Sequence, residues 1–328
     1  MRYFVTGAAG FIGSHFVREL MSGAYGVEPT GVTVYDKLTY AGNLENLASV
    51  SSDPRFTFVQ GDICDGPLLD TVLPGHDVVV NFAAETHVDR SIHGPQDFVV
   101  TNVVGTQTLL DACLRHGIPR TVHIGTDEVY GSIDEGSWDE NEPLMPNSPY
   151  SAAKAAAELL VRAYFVTYGL NVSSTRCSNN YGPYQFPEKV VPLFVTNLID
   201  GGTVPLYGDG MNVRDWLHVD DHCRGIALVV AKGAPGESYN IGGGLELNNR
   251  ELTERVLEAM GADWDSVQPV EDRKGHDRRY SVNDGKLRAL GYAPRHTFED
   301  GLAETVAWYR DNEAWWRPLK AKATVTPR

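Results

Sequence analysis

The sequence predicts a doubly wound α/β fold, a mostly parallel sheet with helices on both faces, followed by a smaller, mixed α/β C-terminal substrate domain. Three observations carry that expectation. Apolar, strand-like runs alternate with helical patterns from residue 3 to residue 177, the spacing that builds parallel sheets. The first run feeds a glycine-rich turn and then an apolar-periodic helix, the context that gives a glycine pattern meaning. Beyond Cys177 the even alternation stops, and loops of polar and aromatic residues take over.

Tyr3-Phe4-Val5-Thr6 is the first strand, and it runs into Gly7-Ala8-Ala9-Gly10-Phe11-Ile12-Gly13 and a helix through Leu20 and Met21. Small residues let the backbone approach a pyrophosphate, and a helix N-terminus offers it unpaired N–H groups. Gly7, Gly10, Phe11, Ile12 and Gly13 are therefore expected at a dinucleotide; a tight turn with no ligand is the plainer alternative. Residues 32–36 form the second strand and end in the Asp36 carboxylate. A carboxylate there suits the ribose hydroxyls of NAD and repels the 2′-phosphate of NADP, though Lys37 beside it weakens that exclusion. A loop insertion over 23–31 accounts for the long spacing from the glycines. Residues 56–59 make the third strand, which ends near Asp62 and Ile63. That pair is expected to bracket the adenine, and an ordinary strand-end turn reads nearly as well.

Residues 77–82 are the fourth strand, leading into Ala83 and Ala84, small enough to lie against the cofactor. Thr86, His87 and Asp89 follow in a loop, where His87 is either a substrate ligand or a surface histidine. Residues 95–116 read as one long helix, with Asn102 a polar residue in a mostly apolar stretch. Residues 121–125 are the fifth strand and 171–177 the sixth. This is the Rossmann arrangement, expected over 1–177 with return segments near 213–242; residues 178–328 are expected to form mainly the second, substrate domain.

The chemistry concentrates between Thr126 and Lys154. The fifth strand delivers Thr126, Asp127 and Glu128 to a carboxyl edge, where open α/β sheets place their sites. Tyr150-Ser151-Ala152-Ala153-Lys154 follows Pro149, which opens a helix, so Tyr150 and Lys154 sit one turn apart on one face. An ammonium beside a phenol favours the phenolate, which takes a proton from a sugar or alcohol hydroxyl. Either feature alone is common: Tyr-x-x-x-Lys recurs by chance, and an Asp-Glu pair after a strand is usually a solvated loop or a cap. Their co-occurrence with the glycine turn changes the balance. Two adjacent carboxyls also exceed what an alcohol dehydrogenase needs.

A polar, acidic loop connects Gly131 to Pro149, long enough to be functional. The helix from Tyr150 to about residue 168 carries Ala155, Leu159 and Ala163 on one face. It and the 95–116 helix either pair across a two-fold axis or pack as an ordinary monomer surface. Residues 179–189 read as a loop, 207–210 as a turn, 213–219 as extended, 238–241 as a further strand of the main sheet, and Asn249 as the start of a capped helix. Residues 272–280 gather basic side chains, including Arg273, His276 and Arg279, in an acidic protein. They read as a diphosphate clamp or as a solvated turn. A final amphipathic helix spans about 297–316, and the tail 320–328 is expected to fray.

The 328 residues suit one large or two medium domains, and 42% hydrophobic with 22% charged residues is ordinary for a globular chain. A net charge of −15 argues against general nucleic-acid binding, while leaving room for an anionic small substrate at a local basic cluster. The first strand begins almost at Met1, so no signal peptide is expected, and no apolar run reaches the roughly 18 residues of a membrane span. Cys64, Cys113, Cys177 and Cys223 have no paired spacing, which favours a reducing, cytoplasmic setting. Cysteines and histidines show no zinc spacing, so no metal is expected.

Taken together, these residues resemble the extended short-chain dehydrogenase/reductase superfamily along essentially the whole chain, and within it the dTDP-glucose 4,6-dehydratase family. The general marks are Thr6-Gly7-Ala8-Ala9-Gly10-Phe11-Ile12-Gly13 and Tyr150 with Lys154; the specific ones are Thr126-Asp127-Glu128-Val129-Tyr130-Gly131, Arg176-Cys177-Ser178-Asn179-Asn180-Tyr181-Gly182-Pro183 and residues 273–280. The Asp-Glu pair separates these dehydratases from related epimerases, and its order is typical of the dTDP-glucose group rather than of GDP-mannose dehydratases. Lys274 departs from the family, which often has proline there.

The resemblance implies a three-stage conversion of dTDP-glucose with NAD regenerated in each turnover. Tyr150 takes the proton from the sugar 4-hydroxyl as hydride leaves carbon 4, while Lys154 holds the phenolate and the ribose and Thr126 bonds the oxygen at carbon 4. Glu128 then removes the proton from carbon 5 and Asp127 protonates the departing 6-hydroxyl. Hydride finally returns to carbon 6. The same carry-over implies Asn180, Arg214 and Arg279 at the diphosphate, Asn249 and Tyr207 at the nucleotide end, and Glu188 and Lys189 at the sugar or its phosphates. Thr86, Asn179, Arg273 and His276 belong to the same substrate side. A homodimer through the two long helices is also implied. Two other readings stay open: a nucleotide-sugar 4-epimerase or a dehydratase for another nucleotide, and a non-catalytic dinucleotide-binding regulator. The regulator would have no reason to keep Tyr150, Lys154 and both carboxyls.

Overall fold

In the computed structural model, which describes residues 1–273 and 275–324, the apolar runs become strands and their amphipathic neighbours become helices. Lys274 and residues 325–328 lie outside the described residues. In chain order the first part comprises β1 (Arg2–Thr6), α1 (Phe11–Ser22), β2 (Gly31–Asp36), β3 (Phe56–Gln60), α2 (Gly66–Val72), β4 (Val78–Asn81), α3 (Val88–His93), α4 (Pro95–Phe98), α5 (Thr106–Arg115), β5 (Arg120–Thr126), α6 (Pro149–Tyr168) and β6 (Val172–Cys177). The second part comprises β7 (Asn179–Tyr181), α7 (Val190–Ile199), β8 (Val204–Tyr207), β9 (Val213–His218), α8 (Val219–Lys232), β10 (Ser238–Ile241), β11 (Glu246–Asn248), α9 (Asn249–Met260), β12 (Val267–Val270), α10 (Gly285–Ala289), α11 (Phe298–Asp311) and α12 (Glu313–Thr324).

Seven strands form one sheet in the order β10-β6-β5-β4-β1-β2-β3, and each neighbouring pair is parallel. The expected mostly parallel sheet is thus parallel throughout, with the 238–241 run as its far edge. The strand order reverses between β1 and β4, so a crevice opens outside their carboxyl ends. Register carries Thr6 opposite Asn81 and Thr126 opposite Cys177, aligning the chemical residues along that edge. One face of the sheet packs on α1 and α8 through Phe16, Val17, Leu20, Cys223 and Ile226. The other packs on α5 and α6 through Leu109, Leu110, Val161 and Tyr164. A separate apolar cluster joins α7, α9, α11 and α12 through Phe194, Leu252, Val256, Leu302, Val306 and Trp316. Beside it lie the small sheets β11-β9-β7 and β12-β8.

Several expectations need correction. The long helix over 95–116 is interrupted: residues Val99–Gly105 wind as π-turns between α4 and α5. The cause is Asn102, buried at 1% exposure, whose amide donates to Glu85 O at 3.0 Å and accepts from Glu85 N at 2.8 Å. The loop after β4 becomes helix α3 from Val88, with His87 as its N-cap. Residues 179–181 pair with β9 rather than looping. Val219 begins a helix instead of ending a strand, since His218 caps α8. The last helix breaks at Asn312, and α12 carries the segment 320–324 as helix rather than frayed tail. On α6, Ala155 is buried, but Leu159 is 58% exposed.

Candidate active site

The glycine turn works by close approach. A Cβ on Gly7, whose φ is +64°, would lie 2.5 Å from Ala83 N, and one on Gly13 would lie 2.6 Å from Gly7 O. No side chain caps α1 after Gly10, so its first N–H groups face the crevice as an anion seat. Asp36 ends β2 at 8% exposure and accepts from Ala9 N at 2.9 Å and Leu38 N at 2.8 Å. Burial raises its pKa and these two bonds oppose the rise. Lys37 pairs with Asp62 at 2.7 Å, so the cation expected to weaken NADP exclusion is matched by a carboxylate.

These residues wall a cavity of about 310 Å³. Gly7, Gly10, Phe11, Ile12, Gly13, Asp36, Lys37, Asp62, Ile63, Ala83 and Ala84 line it, and so do Thr126, Asp127, Glu128, Tyr150 and Lys154. The chain thus brings the whole expected cofactor set and the whole expected catalytic set to one crevice.

The candidate catalytic residues are fixed by short-range rules. Thr126 ends β5 and caps a single 3₁₀ turn, Asp127–Tyr130, that turns the two carboxyls off the strand. Ser148 and Ser151 form a capping box and Pro149 takes the first helical position, so α6 starts where Tyr150 and Lys154 face the crevice. Tyr150 and Lys154 are 7% and 5% exposed.

Their electrostatics differ from the simple expectation. Lys154 donates to Ile124 O at 2.5 Å, and burial lowers its pKa to about 8. Tyr150 is pushed well above the ordinary phenol by burial, then by Glu128 and Cys177, with only the Thr126 hydroxyl acting the other way. The protein alone therefore does not make Tyr150 acidic through Lys154. Burial of the phenol and a nearby carboxylate dominate.

Asp127 and Glu128 are unequal. Asp127 is raised well above a usual carboxyl by burial, Glu128 and Asp215. Its Oδ2 is buried with no partner among the described residues, which suits a protonated acid aimed at a ligand. Glu128 is raised by burial too, but Arg214, Lys189 and Arg273 all pull it down.

Glu128 also marks a junction. A second cavity, about 210 Å³, shares Thr86, Glu128, Asn179, Glu188 and Lys189 with the first. Tyr207, Arg214, Asn249, Arg273 and His276 line it. Lys189 donates to Thr86 O at 3.0 Å, Arg273 lies over the Tyr207 ring at 5.0 Å, and Arg214 over Tyr280 at 4.2 Å. Burial and the surrounding cations lower the His87 pKa to about 2, so its imidazole stays neutral.

Three expected contacts sit differently. Arg279 lines neither cavity; its guanidinium is bidentate to Glu246 at 2.7 and 2.8 Å. The Asn180 amide reaches the first cavity but donates to Ser178 O at 2.9 Å and pairs with His222 Nδ1 at 2.9 Å. Glu188 bridges the cavities while paired with Arg90 at 2.9 Å. Sequence reasoning missed the support of Asn102 for the Glu85 backbone, although its polarity in an apolar run was the available signal. It also missed Asn46, Tyr184, Phe186, Trp315 and Leu319 in the first cavity, whose partners lie far away in the chain.

Comparison with known proteins places this geometry. The family model described as GDP-mannose 4,6 dehydratase matches residues 4–305. The chain is 62% identical over 325 residues to a dTDP-glucose 4,6-dehydratase of Streptomyces antibioticus, covering 98% of this chain and 96% of that one. It is 64% identical, with a TM-score of 0.96, to the crystal structure of a dTDP-glucose 4,6-dehydratase from Streptomyces venezuelae with NAD and dTDP bound, covering 97% of this chain and 100% of that one. A dTDP-glucose 4,6-dehydratase from Bacillus anthracis in complex with NAD aligns at 48% identity and TM-score 0.90, covering 97% of this chain and 99% of that one.

Proposed function

The chain belongs to the nucleotide-sugar 4,6-dehydratases of the extended short-chain dehydrogenase/reductase superfamily, and from that premise we propose how its residues act. It is a dTDP-glucose 4,6-dehydratase, an NAD-dependent hydro-lyase that yields dTDP-4-keto-6-deoxy-glucose and water. The observation that carries the assignment of roles is Glu128 at the junction of the two cavities, beside an Asp127 with an unpartnered buried oxygen.

The glycine turn, Asp36 and the Asp62–Ile63 edge fit NAD. When bound, NAD would supply a hydride acceptor for carbon 4, a hydride donor for carbon 6 and, in its oxidised form, a positive charge. Tyr150 takes the proton of the 4-hydroxyl, and Thr126 holds that oxygen. The ketone so formed makes the carbon 5 proton acidic. Glu128, kept the more ionised of the pair by Arg214, Lys189 and Arg273, removes it. Asp127, kept protonated by burial and by Glu128 and Asp215, donates to the departing 6-hydroxyl. This division of two neighbouring carboxyls into base and acid follows from unlike surroundings. Arg214, Arg273 and Lys189 hold the diphosphate, and Tyr207 and Asn249 face the nucleotide end. Residues 1–177 with the return near 213–242 form the cofactor half; residues 178–328 supply most of the substrate half.

We also assign two copies per assembly. Val99, Val100, Val104, Leu159 and Val166 are 49%, 43%, 47%, 58% and 61% exposed, and their helices pack side by side, leaving an apolar outer face. A cytoplasmic location accords with four free cysteines; among the described residues no helix is long and apolar enough to cross a membrane. The roles are tested by Asp127→Asn and Glu128→Gln, each expected to lose roughly 10²–10⁴ of turnover. Wild-type rates in both would contradict them.

A further inference from the structure

The last described helix reaches back to the first turn of the chain. Trp315 and Leu319, one turn apart on α12, both line the cofactor cavity. Trp315 Nε1 donates to Asn46 Oδ1 at 2.9 Å, across 269 positions of sequence. Asn46 is 2% exposed, and its own amide donates to Ala9 O at 2.9 Å. Ala9 N in turn donates to Asp36 Oδ2 at 2.9 Å. A continuous chain of hydrogen bonds therefore runs from α12 through Asn46 and the glycine turn to the carboxylate that faces the ribose.

An aromatic stack backs this chain. Tyr184 also lines the cavity and holds a φ of 68°, in the left-handed region. A bulky residue stays there only where its neighbours over-determine it. The neighbours are Trp308 at 4.4 Å, Trp315 at 5.6 Å and the Arg18 guanidinium at 4.3 Å; Arg18 also donates to Asn46 O at 2.6 Å. α12 is anchored on its far side: Trp316 is fully buried and donates to Tyr309 O at 2.7 Å, while Arg317 and Lys320 reach Asp200 at 2.8 and 2.7 Å.

We propose that α12 is a strap over the cofactor cavity, and that Trp315, held to Asn46, is a positioning residue that keeps NAD from leaving between turnovers. The inference rests on the reading of this cavity as the NAD site. Retention has a chemical purpose here. The hydride taken from carbon 4 must be given back to the same sugar, so a cofactor lost in mid-cycle strands an oxidised intermediate with no reductant.

The test compares wild type with Trp315→Ala and Trp315→Phe. NAD released on denaturation is counted per chain after purification, and its dissociation is timed after dilution into an NAD trap. Wild type is expected to carry NAD. Trp315→Ala should carry much less, and its turnover should be restored by added NAD. Trp315→Phe keeps the aromatic wall and lacks only the indole N–H; the loss of that hydrogen bond should speed dissociation by about tenfold. If Trp315→Ala is misfolded by circular dichroism, Trp315→Phe decides alone. Dissociation at the wild-type rate in Trp315→Phe together with wild-type NAD content in Trp315→Ala, or in Trp315→Phe alone if only it folds, would overturn the strap. Wild type without NAD would instead overturn the underlying reading of the cavity.

Discussion

Asp127 and Glu128 are covalent neighbours, yet one sits in a buried wall with an oxygen that has no partner among the described residues, and the other faces three cations. Lys154 shows the same tension between function and stability. Burial lowers its pKa from 10.5 to about 8, so between those values the unfolded chain binds more protons than the folded one. The resulting penalty, on the order of 3 kcal/mol, is full below the folded value and fades as pH rises to the unfolded one. Lys154→Met should therefore lose activity while unfolding at no lower temperature than wild type at pH 7, with the gap closing as pH rises towards 10.5. A clearly less stable variant at neutral pH, in thermal scans across that range, would contradict this account of the lysine. At this scale the sequence was informative: Tyr150, Lys154, Thr126, Asp127 and Glu128 converge on one cavity. What it concealed was their charge state. Residue spacing suggested a lysine-activated phenol, whereas the folded surroundings push Tyr150 upward.

Elements were legible where periodicity is strong and local. The strands of the main sheet, the capped start of α6 and the glycine turn all depend on residues within a few positions of one another. Misreadings came where a distant partner overrides the local pattern. Residues 95–116 look uniformly helical, but the Asn102 amide finds the Glu85 backbone, and the helix widens into π-turns to reach it. Asn179–Tyr181 looks like loop and gains its pairing only from β9. The strap is the extreme case: nothing around Trp315 in sequence points to Asn46.

At the scale of the molecule, the parallel sheet positions the first cavity, and Lys189 at the start of α7, Arg214 on β9 and Arg273 beyond β12 line the second. The proposed pairing of two copies uses the exposed apolar face on α6 and the π-turns. Light scattering should give twice the 36.0 kDa chain mass, and Leu159→Glu should shift it towards that of one chain; a wild-type monomer would contradict the pairing. The central claim is tested most directly by one mass spectrum. The purified protein is incubated with dTDP-glucose in deuterated water without added cofactor. Loss of one water with one non-exchanging deuterium at carbon 5 is the predicted result. An isomer of unchanged mass would contradict it, leaving Asp127 and Glu128 without their roles as acid and base.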